Sequence, residues 1–219
     1  MATAVLKKYK LVIFDWDGTV MDSISKIVNC IRRSAQALNI EPPSDTAIKN
    51  IIGMSLELAI EVLFPDEVAH HPALINGYKQ QYRVDTTATP VFDNVENVLS
   101  ALKAQGVILA IATGKGRDGL MRLLEQTQLG HYFSATRTSD EAHSKPSPDM
   151  LEQLLVELAI NADEALMIGD TKIDMAMAQA ANIDRIGVTM GVHSAAQLSE
   201  FSPVATVDNY QQLQRILLG

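Results

Sequence analysis

Apolar positions along the chain follow two rhythms. Leu11, Val12, Ile13 and Phe14 form a continuous apolar run that ends abruptly in acids, the pattern of a strand buried on both faces. From residue 23 the spacing changes to threes and fours. Ile24, Ile27, Val28, Ile31, Ala35 and Leu38 predict an amphipathic helix over 23–38. Pro42 and Pro43 stop it, and Ser44 is placed to cap a short helix that Gly53 ends. Further helical patterns cover 55–63, running into Pro65, and 66–83. No alternating strand pattern interrupts this block.

After Val91, strand and helix patterns alternate. Strands are predicted at 107–112, 132–136, 165–168, 185–188 and 205–207. Helices are predicted at 94–105, 117–128, 147–159, 173–181, 195–200 and 210–217, with Ser147 as N-cap and Pro148 in the first turn of the third. Repeated strand–helix units imply an α/β fold, a doubly wound parallel sheet with helices on both faces. The helical block then becomes an insertion directly after the first strand, placed to cover the strand ends as a lid.

Composition narrows the class without choosing a function. The 219 residues permit one large domain or two small ones, and 47% hydrophobic with 20% charged residues is ordinary for a globular chain. A net charge of −8 and a pI near 5.1 argue against a broad basic face, so no nucleic-acid partner is expected. No run approaches the about 18 apolar residues of a membrane span, so no membrane partner is expected either. Lys7, Lys8 and Lys10 precede only a short apolar run, which is not a secretory signal. The single cysteine, Cys30, excludes an internal disulfide and reads as a helix packing residue in a reducing compartment, so a cytoplasmic location is expected.

The chemistry gathers at strand ends. Asp15 and Asp17 follow the first strand, and at a spacing of two they face the same side of an extended chain. Such a pair occurs in surface turns, but as a site it needs a compensating charge. Mg²⁺ supplies one, completed by water and phosphate oxygens. One carboxylate can then be a nucleophile and the other a proton carrier. The second buried strand runs into Thr113-Gly114-Lys115, a hydroxyl with open backbone N–H groups that suits phosphate oxygens, though taken alone it reads as a simple strand-to-helix turn. Ser144-Lys145-Pro146-Ser147-Pro148 puts a lysine on a stiffened backbone, with Lys115 and Lys172 as rivals for the same role. After the strand at 165–168, Asp170 can ligate a cation held by Asp15, and Asp174 can reach back around one helical turn.

Four ordered motifs, DWDGTVMDS, IATGK, SKPSPD and IGDTKIDM, span nearly the whole chain and resemble the haloacid dehalogenase-like superfamily. The insertion after the first motif resembles that of the phosphoglycolate phosphatase and β-phosphoglucomutase group. This resemblance implies a Rossmann-like core at 1–20 and 89–219, with the first strand central, and an α-helical cap domain at 21–88 that governs substrate specificity. It implies that Asp15 is the nucleophile and that Asp17 protonates the leaving oxygen and then activates water. Thr113, the Gly114 backbone and Lys145 would hold the phosphoryl group. Mg²⁺ would be bound by Asp15, the Asp17 carbonyl and Asp170, with Asp174 in support.

The implied function is Mg²⁺-dependent hydrolysis of a small phosphorylated metabolite resembling phosphoglycolate, a sugar phosphate or a nucleotide. The alternatives are a phosphosugar mutase, a pyrophosphatase or a non-catalytic binder of phosphorylated ligands. Asp17 favours phosphate chemistry over carbon–halogen cleavage. A phosphonatase would need a cap lysine, and Lys26 and Lys49 are the candidates. In the cap, Ile52-Gly53-Met54-Ser55 reads as a loop that reaches the site. Arg32, Arg33 and Lys49 either meet an anionic leaving group or form a solvated helix face. His70 and His71 read as surface residues, and Asp22 as part of the hinge. Monomer and homodimer stay equally open.

Overall fold

The structure, a computed structural model, describes residues 8–219; Lys7 and the rest of 1–7, the start of the expected core, lie outside the described residues. Six parallel strands form one sheet in the order β3-β2-β1-β4-β5-β6. They are β1 Leu11–Phe14, β2 Ile108–Ala112, β3 Ala135–Arg137, β4 Ala165–Gly169, β5 Asp184–Val188 and β6 Ala205–Val207. β1 lies inside, paired with β2 and β4, as a strand apolar on both faces requires.

The two faces of β1 bury different residues. Val12 and Phe14 join Leu109, Ile111, Leu166 and Ile168 in a core closed by α5 Val95–Ala104, α6 Arg117–Thr127 and α10 Tyr210–Leu218. Leu11 and Ile13 join Ala110, Ala112, Ala165 and Met167 beneath α7 Asp149–Leu158 and α8 Lys172–Ala180. Alternate side chains of each inner strand thus point to opposite helical layers, which is the Rossmann-like doubly wound arrangement. The short α9 Ala195–Ser199 packs beside β5 and β6.

Between β1 and α5 stand four helices, α1 Ile24–Gln36, α2 Asp45–Asn50, α3 Leu56–Leu63 and α4 His71–Val84. Val28, Ile31, Ile48, Ile60, Phe64 and Leu74 form an apolar cluster of their own there. Ser44 and Ser55 cap α2 and α3, accepting from the N–H groups of Ala47 and Leu58. The two chain crossings into this layer are tied together. Asp22 N–H donates to the Pro90 carbonyl at 2.9 Å, and Phe92 N–H donates to the Val20 carbonyl at 3.1 Å. Asp85 anchors the return crossing. It accepts from Arg33 Nη1 and from Thr87 N–H, each at 2.8 Å, and its carbonyl accepts from Lys26 Nζ.

Three expected starts move by two residues or more. The fourth helix starts at His71 instead of 66, because residues 68–70 form a 3₁₀ turn and Pro72 suits only the first helical turn. The third strand begins at Ala135, since Gly130–Tyr132 is another 3₁₀ turn. α7 begins at Asp149, with Pro148 as its cap residue instead of Ser147. The Lys145–Pro146 peptide bond ahead of it is cis. Among the described residues no helix is long and apolar enough to cross a membrane.

Leu166 is fully buried on β4, between the central strand and its helices. Leu166→Ala is expected to cost about 3 kcal/mol of unfolding free energy in a urea titration. A loss near zero would contradict the packing described.

Candidate active site

All six strands point their C-terminal ends to one edge, and the polar residues there come from four separate loops. The Asp15 N–H still pairs with the Ile168 carbonyl at 2.9 Å, so its carboxylate is fixed as an extension of β1. The chain then turns through Gly18, which adopts φ +82°. A Cβ at that glycine would lie 2.4 Å from Asp170 Oδ2, so only glycine lets the first loop close on the fourth. Asp170 is fully buried, accepting from Thr19 Oγ1 at 3.0 Å and Val192 N–H at 2.8 Å.

Asp174 is set by the start of α8. Thr171 caps that helix, accepting from Asp174 N–H, and Asp174 Oδ2 accepts from the Thr171 N–H at 3.1 Å and hydroxyl at 2.6 Å. Its other oxygen accepts from Lys145 Nζ at 2.7 Å, and the same ammonium donates to Asp15 Oδ1 at 2.6 Å. Lys145 is entirely shielded from water. Of the three rival lysines it alone joins this group. Lys172 pairs at the surface with Glu200, and Lys115 pairs with Asp17.

Carboxylate oxygens of Asp15, Asp170 and Asp174 lie within 4.8 Å of one another. Burial pushes the Asp15 carboxyl up to about 7, with Lys145 opposing and Asp174 adding to the rise. Burial, then the charges of Asp174 and Asp15, raise Asp170 well above the usual carboxylate range. Burial alone would discharge Lys145, but Asp15 and Asp174 outweigh it and hold the ammonium above its ordinary range. One lysine thus faces three buried acids. An all-oxygen donor set carrying this excess negative charge fits a hard divalent cation.

Asp17 stands apart from the three. Its Oδ1 accepts from Ser23 Oγ at 2.6 Å, and its Oδ2 lies 3.0 Å from Lys115 Nζ. Thr113 is buried beside it, its hydroxyl accepting from the Lys115 N–H at 3.2 Å. A Cβ on Gly114 would lie 2.4 Å from the carbonyl oxygens of both Gly53 and Met54. The loop at 51–54 therefore rests on the Gly114 backbone, as expected of a segment reaching the site. Next to it, Ser55 N–H donates to Ser144 Oγ at 2.8 Å. A cavity of about 270 Å³ remains between the layers, lined by Asp15, Asp17, Thr113 and Lys115 below and by Ile27, Tyr78 and Tyr82 above.

Other candidates stand elsewhere. Arg32 pairs with Asp45 and Arg33 with Asp85, and neither they nor Lys49 line the cavity, so they form the outer helix face. Lys26 is committed to the Asp85 carbonyl. His70 contacts Glu67, and His71 contacts the Phe64 carbonyl. Thr19, Ser23, Thr171 and His193, which accepts from Lys172 N–H, were not singled out by sequence. Only Thr171 carried a signal, since Thr171-x-x-Asp174 is a capping-box spacing.

A sequence model for haloacid dehalogenase-like hydrolases matches residues 12–188, which include all four loops. The chain belongs to this family. Among curated relatives, the "Probable phosphatase IndB" of Dickeya dadantii is 34% identical, across 93% of this chain and 91% of its own length. A phosphoglycolate phosphatase of Vibrio cholerae is 26% identical, across 97% and 99% of the two chains. A solved structure described as a predicted phosphatase from Clostridium acetobutylicum superposes with a TM-score of 0.85 at 27% identity, covering 96% and 98%. The family read from the four motifs is thereby borne out, and with it a hydrolase whose curated relatives carry phosphatase names.

Removing one of three crowded carboxylates should separate repulsion from ligation. In EDTA above neutral pH, Asp170→Asn is expected to melt several degrees higher than wild type, since the Thr19 hydroxyl can turn to accept from the new amide. The wild type should gain about 2.7 kcal/mol from a divalent cation at 100 times Kd, and the variant almost none. A variant stabilised as strongly as wild type would remove Asp170 from the ligand set.

Proposed function

We propose that this chain is a Mg²⁺-dependent phosphatase that hydrolyses a small phosphomonoester through an aspartyl phosphate on Asp15. The observation that carries the reading is the Lys145 ammonium, 2.6 Å from Asp15 and 2.7 Å from Asp174 within a nest of three buried carboxylates. A binding site for an anion has no use for three acids, whereas phosphoryl transfer with a cation present uses each of them. Residues 21–88 serve as the cap and the remainder as the catalytic core.

Asp15, Asp170 and the Asp17 carbonyl would hold Mg²⁺, with Asp174 in support. When bound, the cation neutralises charge on the transferring phosphoryl oxygens. An Asp15 oxygen attacks phosphorus while the bond from phosphorus to the ester oxygen breaks. Asp17 gives its proton to the departing alkoxide, which leaves as the alcohol. Asp17 then takes a proton from water as that water attacks the phosphorus of the acyl phosphate. The phosphorus bond to Asp15 breaks, inorganic phosphate departs and Asp15 is restored. Thr113, the Gly114 N–H and Lys145 hold the phosphoryl oxygens during both steps. Ser23 and Lys115 fix the Asp17 carboxylate, and the cap excludes bulk water.

Phosphate release from a panel of phosphomonoesters with Mg²⁺ tests this. Release should vanish with EDTA and in Asp15→Asn. Asp17→Asn should lose about 10²–10⁴-fold in kcat and still bind Mg²⁺, because its side chain lies outside the carboxylate nest. Full activity in Asp15→Asn would refute the mechanism. An unaltered kcat in Asp17→Asn would remove Asp17 as the acid and base.

A further inference from the structure

A fifth loop touches the carboxylate nest and takes no part in the steps above. Residues 189–194 connect β5 to α9 and fold back onto Asp170. The Val192 N–H donates to Asp170 Oδ2 at 2.8 Å, and the His193 N–H donates to the Asp170 carbonyl at 3.2 Å. A Cβ on Gly191 would lie 1.9 Å from the same Oδ2, so this backbone closes on the carboxylate as Gly18 does from the first loop. With Thr19 Oγ1 on Oδ1, each Asp170 oxygen has a donor and keeps a lone pair for a cation.

The loop is itself pinned at two points. His193 is buried, and its Nδ1 accepts from the Lys172 N–H at 3.1 Å. Lys172 opens α8, where the first N–H groups have no partner inside the helix. The imidazole therefore satisfies this helix start from 21 residues away. Val192 supplies the second point. Its side chain packs against the cluster of Ile27, Ile51, Ile52 and Ala59 in the helical layer. One residue thus holds Asp170 through its N–H and meets the helical layer through its side chain.

A loop that only joined β5 to α9 has no need to place a backbone donor on a carboxylate. Donors around a ligating carboxylate set its orientation, and losing one typically costs about ten- to a hundredfold in metal affinity. Resting on the cation site of the proposed phosphatase, we propose that His193 and Val192 are positioning residues for the divalent cation. Their loop keeps the Asp170 carboxylate turned toward Asp15 and Asp174. Because Val192 also meets the helical layer, the cation is held more tightly when that layer is seated. The linkage runs equally in the other direction.

Calorimetric titration of Mg²⁺ into the EDTA-dialysed 219-residue chain tests this in wild type, His193→Ala, His193→Asn and Val192→Ala. Each is titrated at a temperature where circular dichroism shows it folded. His193→Ala should weaken Mg²⁺ binding about ten- to a hundredfold. His193→Asn should recover most of that loss, since its amide oxygen can accept from the Lys172 N–H. Val192→Ala keeps every backbone donor and trims only the contact with the helical layer, and should weaken binding about threefold or more. Wild-type affinity in either alanine variant overturns the proposal and leaves the phosphatase reading standing. So does an asparagine variant that binds no better than His193→Ala. Should His193→Ala not fold, Val192→Ala decides alone. No Mg²⁺ binding by the wild type overturns both.

Discussion

A buried ammonium surrounded by buried carboxylates is the constraint from which the rest of the molecule follows. Lys145 and its partners arrive from the end of β1, the approach to α7 and the first turn of α8, with Asp170 added from β4. No local segment could assemble them. A parallel sheet can, because it brings every strand end to one edge while hiding the strands beneath two helical layers. Buried charge is expensive unless it is paired and hydrogen-bonded. Here each acid is held by named donors, namely Lys145 for Asp15, Thr19 and Val192 for Asp170, and Thr171 and Lys145 for Asp174. What those donors leave uncompensated is negative charge in a dry place, and that residue of charge is what a divalent cation would meet.

The second organising contact joins the layers. Core residues reach upward through Asp17 and Lys115, and the helical layer reaches downward through the 51–54 loop on Gly114. In the proposed mechanism, proton transfer takes place at this seam. Ser23, at the crossing into α1, holds Asp17 from the same seam, so the position of the Asp17 carboxylate depends on where the helical layer sits.

The parts of the fold and site visible in sequence were those encoded by short-range pattern. Apolar runs ending in Asp15, Thr113 and Gly169-Asp170 disclosed the strands and the edge they share. Ser44 announced a helix start through cap chemistry. What stayed hidden depends on distance across loops. Nothing near Lys145, Lys115 or Lys172 says which one is buried, because the partners lie 130 residues from Lys145 in one case and 29 in another. The pairing of Asp17 with Lys115 is equally non-local. Arg33 looked available for an anion until Asp85 claimed it from across the cap. The late start of α4 was obscured by His70 and His71, which helices and turns accept alike.

The nucleophile is the claim on which the mechanism stands, and it has a covalent signature. Wild-type enzyme should be quenched in acid during the first turnover of its best phosphomonoester, and its peptides weighed by mass spectrometry. The account predicts a phosphoryl adduct, removed by hydroxylamine, on the peptide that carries Asp15. An adduct on another residue, or product formed from the first moments with no adduct at all, would contradict it.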